Sequence, residues 1–135
     1  MIKDIEQPKV EDIAIAAVPQ SNILGGEDEW YIYLISMKSE TLTNVLISSR
    51  GYGQVGEENV KTSELRHFVA EVPPQSFVKI EPIMSELFAL NNQYWVSFYV
   101  GEQLYDKKYV FLAESIQPAN LTEVPLMGQK GILLR

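Results

Sequence analysis

The sequence predicts an all-β domain, an antiparallel β-sandwich of the immunoglobulin-like class with about seven to eight strands and one short helical turn. Short runs rich in β-branched and aromatic residues recur along the chain, and proline, glycine and asparagine separate them. No long segment has the 3.6-residue periodicity of an amphipathic helix. A length of 135 residues suits one such sandwich, and a small barrel is the alternative.

Each strand is predicted from a run whose side chains alternate between the two faces of a sheet. A loose leader at residues 1–9 precedes a single domain at residues 10–135. The predicted strands are residues 10–18, 30–37, 42–49, 64–72, 76–81, 94–100 and 103–112, followed by a short edge strand at 130–135. Pro19, Pro73 and Pro82 end three of them, since proline cannot donate to a β-ladder.

Three segments have a distinctive pattern. Residues 30–37 are apolar on both faces, which favours a central strand covered on both sides or a strand with a partner on its outer face. Residues 50–59 are predicted to form the glycine-rich tip of a long hairpin. Residues 83–90 have apolar side chains at helical spacing and predict one helical turn that crosses between the sheets.

The hairpin between the last two long strands is predicted in register. A two-residue turn that begins at Gly101 is typical of tight β-hairpins. Such a turn places Phe98 opposite Tyr105 and Trp95 opposite Lys108. Aromatic cross-strand pairs add about 0.2–1 kcal/mol each, so this hairpin is predicted to be the most stable local unit.

Composition and charge argue against several classes of function. The chain has no cysteine, which excludes a disulfide scaffold, a thiolate nucleophile and a cysteine zinc site. With 11 basic and 18 acidic residues the net charge is −7, which disfavours nucleic acids and anionic membranes as partners. The N-terminus has acids where a signal peptide has basic residues, and no apolar run would span a membrane, so we expect a cytoplasmic protein. No motif indicates a cofactor, and we expect none.

Catalytic chemistry would have to involve His67, the only histidine. Strand alternation places His67 and Glu71 on one face but far apart, and Glu64 on the other face. We therefore expect a half-buried or surface histidine and no enzyme. Acidic residues 27–29 are expected to be solvated rather than to bind a metal ion.

Glycines at positions 51, 53 and 56 formally match a nucleotide-binding fingerprint. That fingerprint requires a following helix whose N-terminus meets phosphate, whereas two acids and a strand follow here. The glycines are therefore interpreted as hairpin-tip residues that supply positive φ.

Aromatic side chains offer a better case for binding, because they stack on sugars and anchor protein partners. More than half of the tyrosines and tryptophans are expected to be buried in the core. They are Trp30, Tyr31, Tyr33, Tyr52, Tyr94, Trp95, Tyr99, Tyr105 and Tyr109. Tyr52 is expected to be exposed at the hairpin tip beside Arg50, which could pair with Glu64. Arg50, Tyr52, Arg66 and His67 are the predicted binding residues.

The leading hypothesis is a non-enzymatic interaction module that self-associates, as a homo-oligomer or with a protein partner. Two observations motivate it: a strand that is apolar on both faces, and edge strands that must be covered. The alternative is a small-ligand or carbohydrate-binding module that uses aromatic residues at the loop tips.

Four strings carry a resemblance to a known group of proteins. They are residues 49–52 (SRGY), 65–68 (LRHF), 86–92 (ELFALNN) and 105–111 (YDKKYVF). With these strings the chain resembles a family of short bacterial proteins of uncharacterised function, sometimes labelled phenylalanyl-tRNA synthetase α subunit. The resemblance covers most of the chain. It assigns no functional residue, because a synthetase core has helices and ATP-binding arginine motifs that this sequence lacks.

Overall fold

The computed structural model describes residues 8–135, which form two antiparallel β-sheets packed face to face. The leader predicted at residues 1–9 lies almost wholly outside this described part. The ten strands within it are β1 Ile13–Gln20, β2 Glu29–Ser36, β3 Leu42–Val55, β4 Glu58–Lys61, β5 Leu65–Val72, β6 Ser76–Ile83, β7 Asn91–Val100, β8 Gln103–Phe111, β9 Thr122–Val124 and β10 Gln129–Leu134. The all-β sandwich predicted from the sequence is thereby confirmed, with more strands than expected.

The first sheet has the strand order β6-β2-β1-β10-β9, and in the second sheet β4 and β5 both pair with β3, followed by β7 and β8. The order β1-β2-β6 opposite β5-β3-β7-β8 matches strands A-B-E opposite C′-C-F-G of an immunoglobulin-like sandwich. The last strand, β10, is added beside β1, where Ile15 pairs with Leu134. It lies between β1 and β9 and so is not the edge strand that the sequence predicted.

The predicted helical turn is present as a 3-10 helix at Ser85–Ala89, which connects β6 of the first sheet to β7 of the second. A second 3-10 helix, Pro118–Asn120, follows β8 in the segment between the last two predicted strands. The register of the β7–β8 hairpin agrees with its prediction, since Phe98 pairs with Tyr105 and Trp95 with Lys108. The Phe98 and Tyr105 rings are stacked, with their centroids 5.3 Å apart.

Two prolines that were predicted to end strands lie inside them. Pro19 pairs with Trp30 near the end of β1, beyond the residues of β1 that pair with β10. Pro82 lies in β6, an edge strand that pairs only with β2. Both positions leave one side of the backbone without a neighbouring strand, so the missing N–H disrupts no second ladder.

The glycine-rich tip is also more regular than predicted. β3 continues through it to Val55, and a turn at Gly56 and Glu57 leads into β4. Gly56 supplies the expected positive φ of 63°. Gly51 has a different role, because it lies buried in the strand, where a Cβ would be 3.1 Å from Cγ2 of Thr62.

The core between the sheets is continuous. Its largest fully buried members include Tyr94, Phe98 and Phe111 from the second sheet and Ile15, Ile32 and Leu34 from the first. The outer face of β1 and β2 is buried as well, in a second cluster of Ala14, Ala16, Val18, Tyr33, Ile35 and Val124. β2 is therefore covered on both faces within the chain, which is the first of the two alternatives that its sequence left open.

Replacing Gly131 with alanine is predicted to destabilise the first sheet. The new Cβ would lie 2.7 Å from the carbonyl oxygen of Ala17 and 3.0 Å from Cγ2 of Val124, so backbone would have to move. We expect Gly131→Ala to lower the free energy of unfolding by about 1–3 kcal/mol, measured by urea denaturation. Gly51→Ala is the matched control, because its Cβ would meet only movable side-chain atoms. Equal losses in the two variants would contradict this account of the β1–β10 packing.

Candidate functional site

The outer face of the second sheet carries large apolar side chains that are exposed to solvent. Leu46 of β3, Phe68 of β5 and Trp95 of β7 are 41%, 65% and 41% exposed. Alternation along the three strands directs them away from the core, since both sequence neighbours of Leu46 and of Trp95 are buried. These three side chains, called the outer patch below, have no counterpart in the predicted site.

Strand register places the members of the outer patch next to one another. Leu46 lies directly opposite Phe68 on β5 and opposite Ser97 on β7. Trp95 lies two residues before Ser97 on β7. It is therefore diagonal to Leu46, at a distance that a large side chain can span. The outer patch is therefore one surface that spans β5, β3 and β7.

Charged side chains of both signs surround the outer patch. In the same cross-strand row as Trp95 lie Arg66 of β5 and Lys108 of β8, while Asp106 of β8 lies in the row of Leu46. Arg66 has a highly exposed side chain whose guanidinium lies 3.5 Å from the Glu64 carboxylate. Of the predicted binding residues, Arg66 and Arg50 border this surface, since Arg50 lies two residues beyond Ser48 on the same face of β3 and is diagonal to Trp95.

A separate, polar feature lies at the open edge of the sandwich, around the Glu81 carboxylate of β6. Glu81 is only 9% exposed. Its Oε1 accepts a hydrogen bond from the Ser49 hydroxyl at 2.8 Å and lies 2.8 Å from Nε2 of His67. Its Oε2 accepts a hydrogen bond from the Tyr94 hydroxyl at 3.3 Å. One carboxylate of the first sheet thus binds three strands of the second.

A β-bulge explains why Glu81 points inward. Ile32 of β2 pairs with Glu81 and Tyr33 with Lys79, which leaves Ile80 as an extra residue on β6. Strict alternation would place Glu81 on the outer face with Phe77 and Lys79, but the extra residue turns it toward the core. Sequence reasoning missed this contact, because period-two alternation contains no signal for the bulge.

His67 is half-buried, as the sequence predicted, but its carboxylate partner is neither Glu64 nor Glu71. The Ser49 hydroxyl donates to Glu81 and not to the imidazole, so serine and histidine contact the same carboxylate oxygen instead of forming a proton relay. The arrangement fixes side-chain positions at the sheet edge. Within residues 8–135 there is no group of three side chains suited to hold a metal ion.

Arg50 and Tyr52 lie farther along the same face of β3, toward the part that pairs with β4. Both line a shallow cleft with Lys61 and Glu64, and the Arg50 guanidinium lies 5.7 Å from the centre of the Tyr52 ring. Tyr52 is half-buried and not exposed as predicted, because β4 pairs alongside it through Lys61. Glu64, the expected partner of Arg50, contacts Arg66. Because His67 instead contacts the buried Glu81 at the sheet edge, the four predicted binding residues do not form one site.

The expectation that most tyrosines and tryptophans are buried is wrong. Tyr33, Tyr94 and Tyr109 are buried, and the other six of the nine are half-buried or exposed. Aromatic residues such as Trp95 lie on the outer faces of strands, where side chains of the second sheet meet solvent.

No protein-family model matches the chain, and no curated protein matches it. The resemblance to short bacterial proteins stays a prediction. In the described residues, no helix has the length and apolar character needed to cross a membrane.

Glu81→Ala is predicted to lower the free energy of unfolding by about 2–4 kcal/mol, because it leaves the buried hydroxyls of Ser49 and Tyr94 without an acceptor. Chemical denaturation followed by circular dichroism measures the change. Glu71→Ala on the exposed part of β5 is the matched control, with an expected change within about 0.5 kcal/mol. Comparable losses in both variants would show that the Glu81 contacts contribute little.

Two tyrosines are predicted to resist ionisation in the folded protein. Burial, the nearby Glu81 charge and the hydrogen bond to Glu81 raise the pKa of Tyr94, and burial raises the pKa of Tyr109. Since these pKa values are higher in the folded than in the unfolded state, the associated stability is present below about pH 10 and is lost as pH rises further.

The ultraviolet absorbance of phenolate measures this directly. We expect two of the seven tyrosines to ionise only together with unfolding. Tyr94→Phe and Tyr109→Phe should each remove one tyrosine from that late group. Ionisation of all seven while the circular dichroism signal of the fold persists would contradict the prediction.

Proposed function

We propose that the chain is an interaction module that self-associates through the outer patch of the second sheet, as a two-fold symmetric dimer. The observation that carries the proposal is the exposure of Leu46, Phe68 and Trp95 side by side on a regular sheet surface. Isolated exposed apolar residues are ordinary, but adjacent ones with aromatic members are typical of binding surfaces.

Charge distribution favours a second copy of this chain as the partner. In a two-fold dimer the same surface faces itself, so a surface of one sign would repel its copy. Around the outer patch Arg66 and Lys108 supply positive charge, and Asp106 and Glu64 supply negative charge. A mixed rim can pair with its own copy when the two surfaces are rotated against each other.

The outer face of β2 in the first sheet is a less suitable interface than the outer patch. The self-association hypothesis was first motivated by the apolar outer face of β2, but that face is buried within the chain. A partner surface is therefore better placed on the second sheet, whose outer apolar side chains are exposed. The alternative of carbohydrate binding at Tyr52 loses its motivation, since Tyr52 is half-buried beside Arg50.

The combined variant Phe68→Ser and Trp95→Ser is predicted to convert the dimer into a monomer. Both side chains are substantially exposed, so their removal affects association more than folding. Size-exclusion chromatography with light scattering measures the molar mass. Phe77→Ser is the matched control, because Phe77 is a similarly exposed phenylalanine on edge strand β6 of the other sheet. A monomeric wild-type protein at high micromolar concentration, or equal disruption by Phe77→Ser, would overturn the proposal.

Spin labels test which face forms the interface. The chain has no cysteine, so Lys108→Cys and Lys79→Cys each provide one labelling site on the second and first sheet respectively. A dimer that joins the second sheets predicts a shorter distance between copies for labels at residue 108 than at residue 79. The reverse order of distances would exclude the outer patch as the interface.

A further inference from the structure

A cleft at one end of the sandwich is separate from the outer patch. Its volume is about 790 Å³, and its walls come from the β1–β2 loop, the 3-10 helix Ser85–Ala89 and the segment after β8. Clefts of this volume are large enough for a small organic molecule. None of the outer patch residues lines it.

The inner part of the cleft is apolar and aromatic. Ile83 and Ile116 are buried beneath it, and Trp30 and Phe88 are half-buried beside it. The Trp30 and Phe88 rings meet edge to face, with centroids 5.6 Å apart and planes at 82°. Together they offer an apolar surface with an aromatic face, which attracts cations as well as apolar groups.

The positions of these aromatic residues are fixed by backbone contacts. Trp30 pairs with Ile83 in the β2–β6 ladder. The Phe88 carbonyl accepts a hydrogen bond from the Glu114 N–H at 2.8 Å, which joins the 3-10 helix to the segment after β8. A ligand would therefore meet walls that are already formed, and less binding energy is lost to ordering them.

The mouth of the cleft is acidic. Glu27, Asp28 and Glu29 line it and are exposed, and no lysine, arginine or histidine is among its lining residues in the described part of the chain. The Glu29 carboxylate also accepts a hydrogen bond from the Tyr31 hydroxyl at 2.8 Å. Anionic ligands would be repelled at this mouth, whereas a cationic group would meet carboxylates there and aromatic rings behind them.

We infer that this cleft binds a small organic cation, an amine whose ammonium group lies at the carboxylates and whose apolar or aromatic body packs against Trp30 and Phe88. The aromatic wall provides affinity for the body, and the acidic mouth selects the charge. The two parts of the site therefore make separable contributions that different variants can remove.

Three probes that share a phenyl ring on a short alkyl chain test the charge preference. They are 2-phenylethylammonium, 2-phenylethanol and 3-phenylpropionate. Titration followed by two-dimensional amide NMR should show shifts at Trp30 and Ile116 for the cation, with an affinity at least about tenfold above that for the anion. The alcohol should lie between them. Equal binding of anion and cation, or no shift at cleft residues with any probe, would overturn the inference.

The double variant Glu27→Gln and Asp28→Asn removes two charges from the mouth without changing side-chain shape. It should weaken binding of 2-phenylethylammonium by about three- to tenfold and leave 2-phenylethanol unchanged. Glu57→Gln and Glu58→Gln make the same charge change at the distant β3–β4 turn and serve as the matched control. An equal effect of the two double variants would mean that only net charge matters, which contradicts a site.

One further variant tests the position of the ligand without altering the core. Met84 lines the cleft and is 60% exposed, so lysine at this position should fold normally. Met84→Lys places an ammonium group beside the aromatic wall and should abolish binding of the cationic probe. Unchanged binding in this variant would place the probe elsewhere and overturn the inference.

Discussion

A single buried carboxylate connects the two sheets at their open edge. Glu81 belongs to the first sheet, and its hydrogen-bond partners Ser49, His67 and Tyr94 come from three different strands of the second. A buried carboxylate is costly unless hydrogen bonds satisfy it, so each of these strands must keep its position for the others to be stable. The bulge at Ile80 is what directs Glu81 into this place. The contact between His67 and Glu81 thereby joins edge strand β5 of the second sheet to edge strand β6 of the first.

The two sheets differ in how their outer faces are covered. Side chains on both faces of β1 and β2 are buried, whereas the second sheet buries only its inner face and exposes Leu46 and Trp95. The exposed side chains of the outer patch therefore lie on the second sheet, whereas the cleft lies at one end of the sandwich. The outer patch and the cleft share no residue, so either could be lost without the other.

Period-two alternation in the sequence predicted eight of the ten strands and the sandwich, and the turn at Gly101 predicted the register of the β7–β8 hairpin. It failed where geometry departs from strict alternation or where composition hides a strand, as in the glycine-rich continuation of β3 and in β4. The contact between His67 and Glu81 depends on a bulge, and exposure of Phe68 depends on which sheet face receives a covering segment. Both depend on tertiary structure. Arg66 could therefore be predicted as a binding residue from the sequence, whereas its neighbours Phe68 and Trp95 could not.

The pairing of β10 with β1 has a kinetic consequence. Ile15 and Leu134 lie near opposite limits of the described chain, yet they are direct neighbours in the first sheet. Closing a loop of that length costs entropy before the ladder returns any energy, which is typical of slowly folding all-β domains. During synthesis on the ribosome, β1 must wait for β10, with one row of its backbone amides and carbonyls open to pairing by another chain.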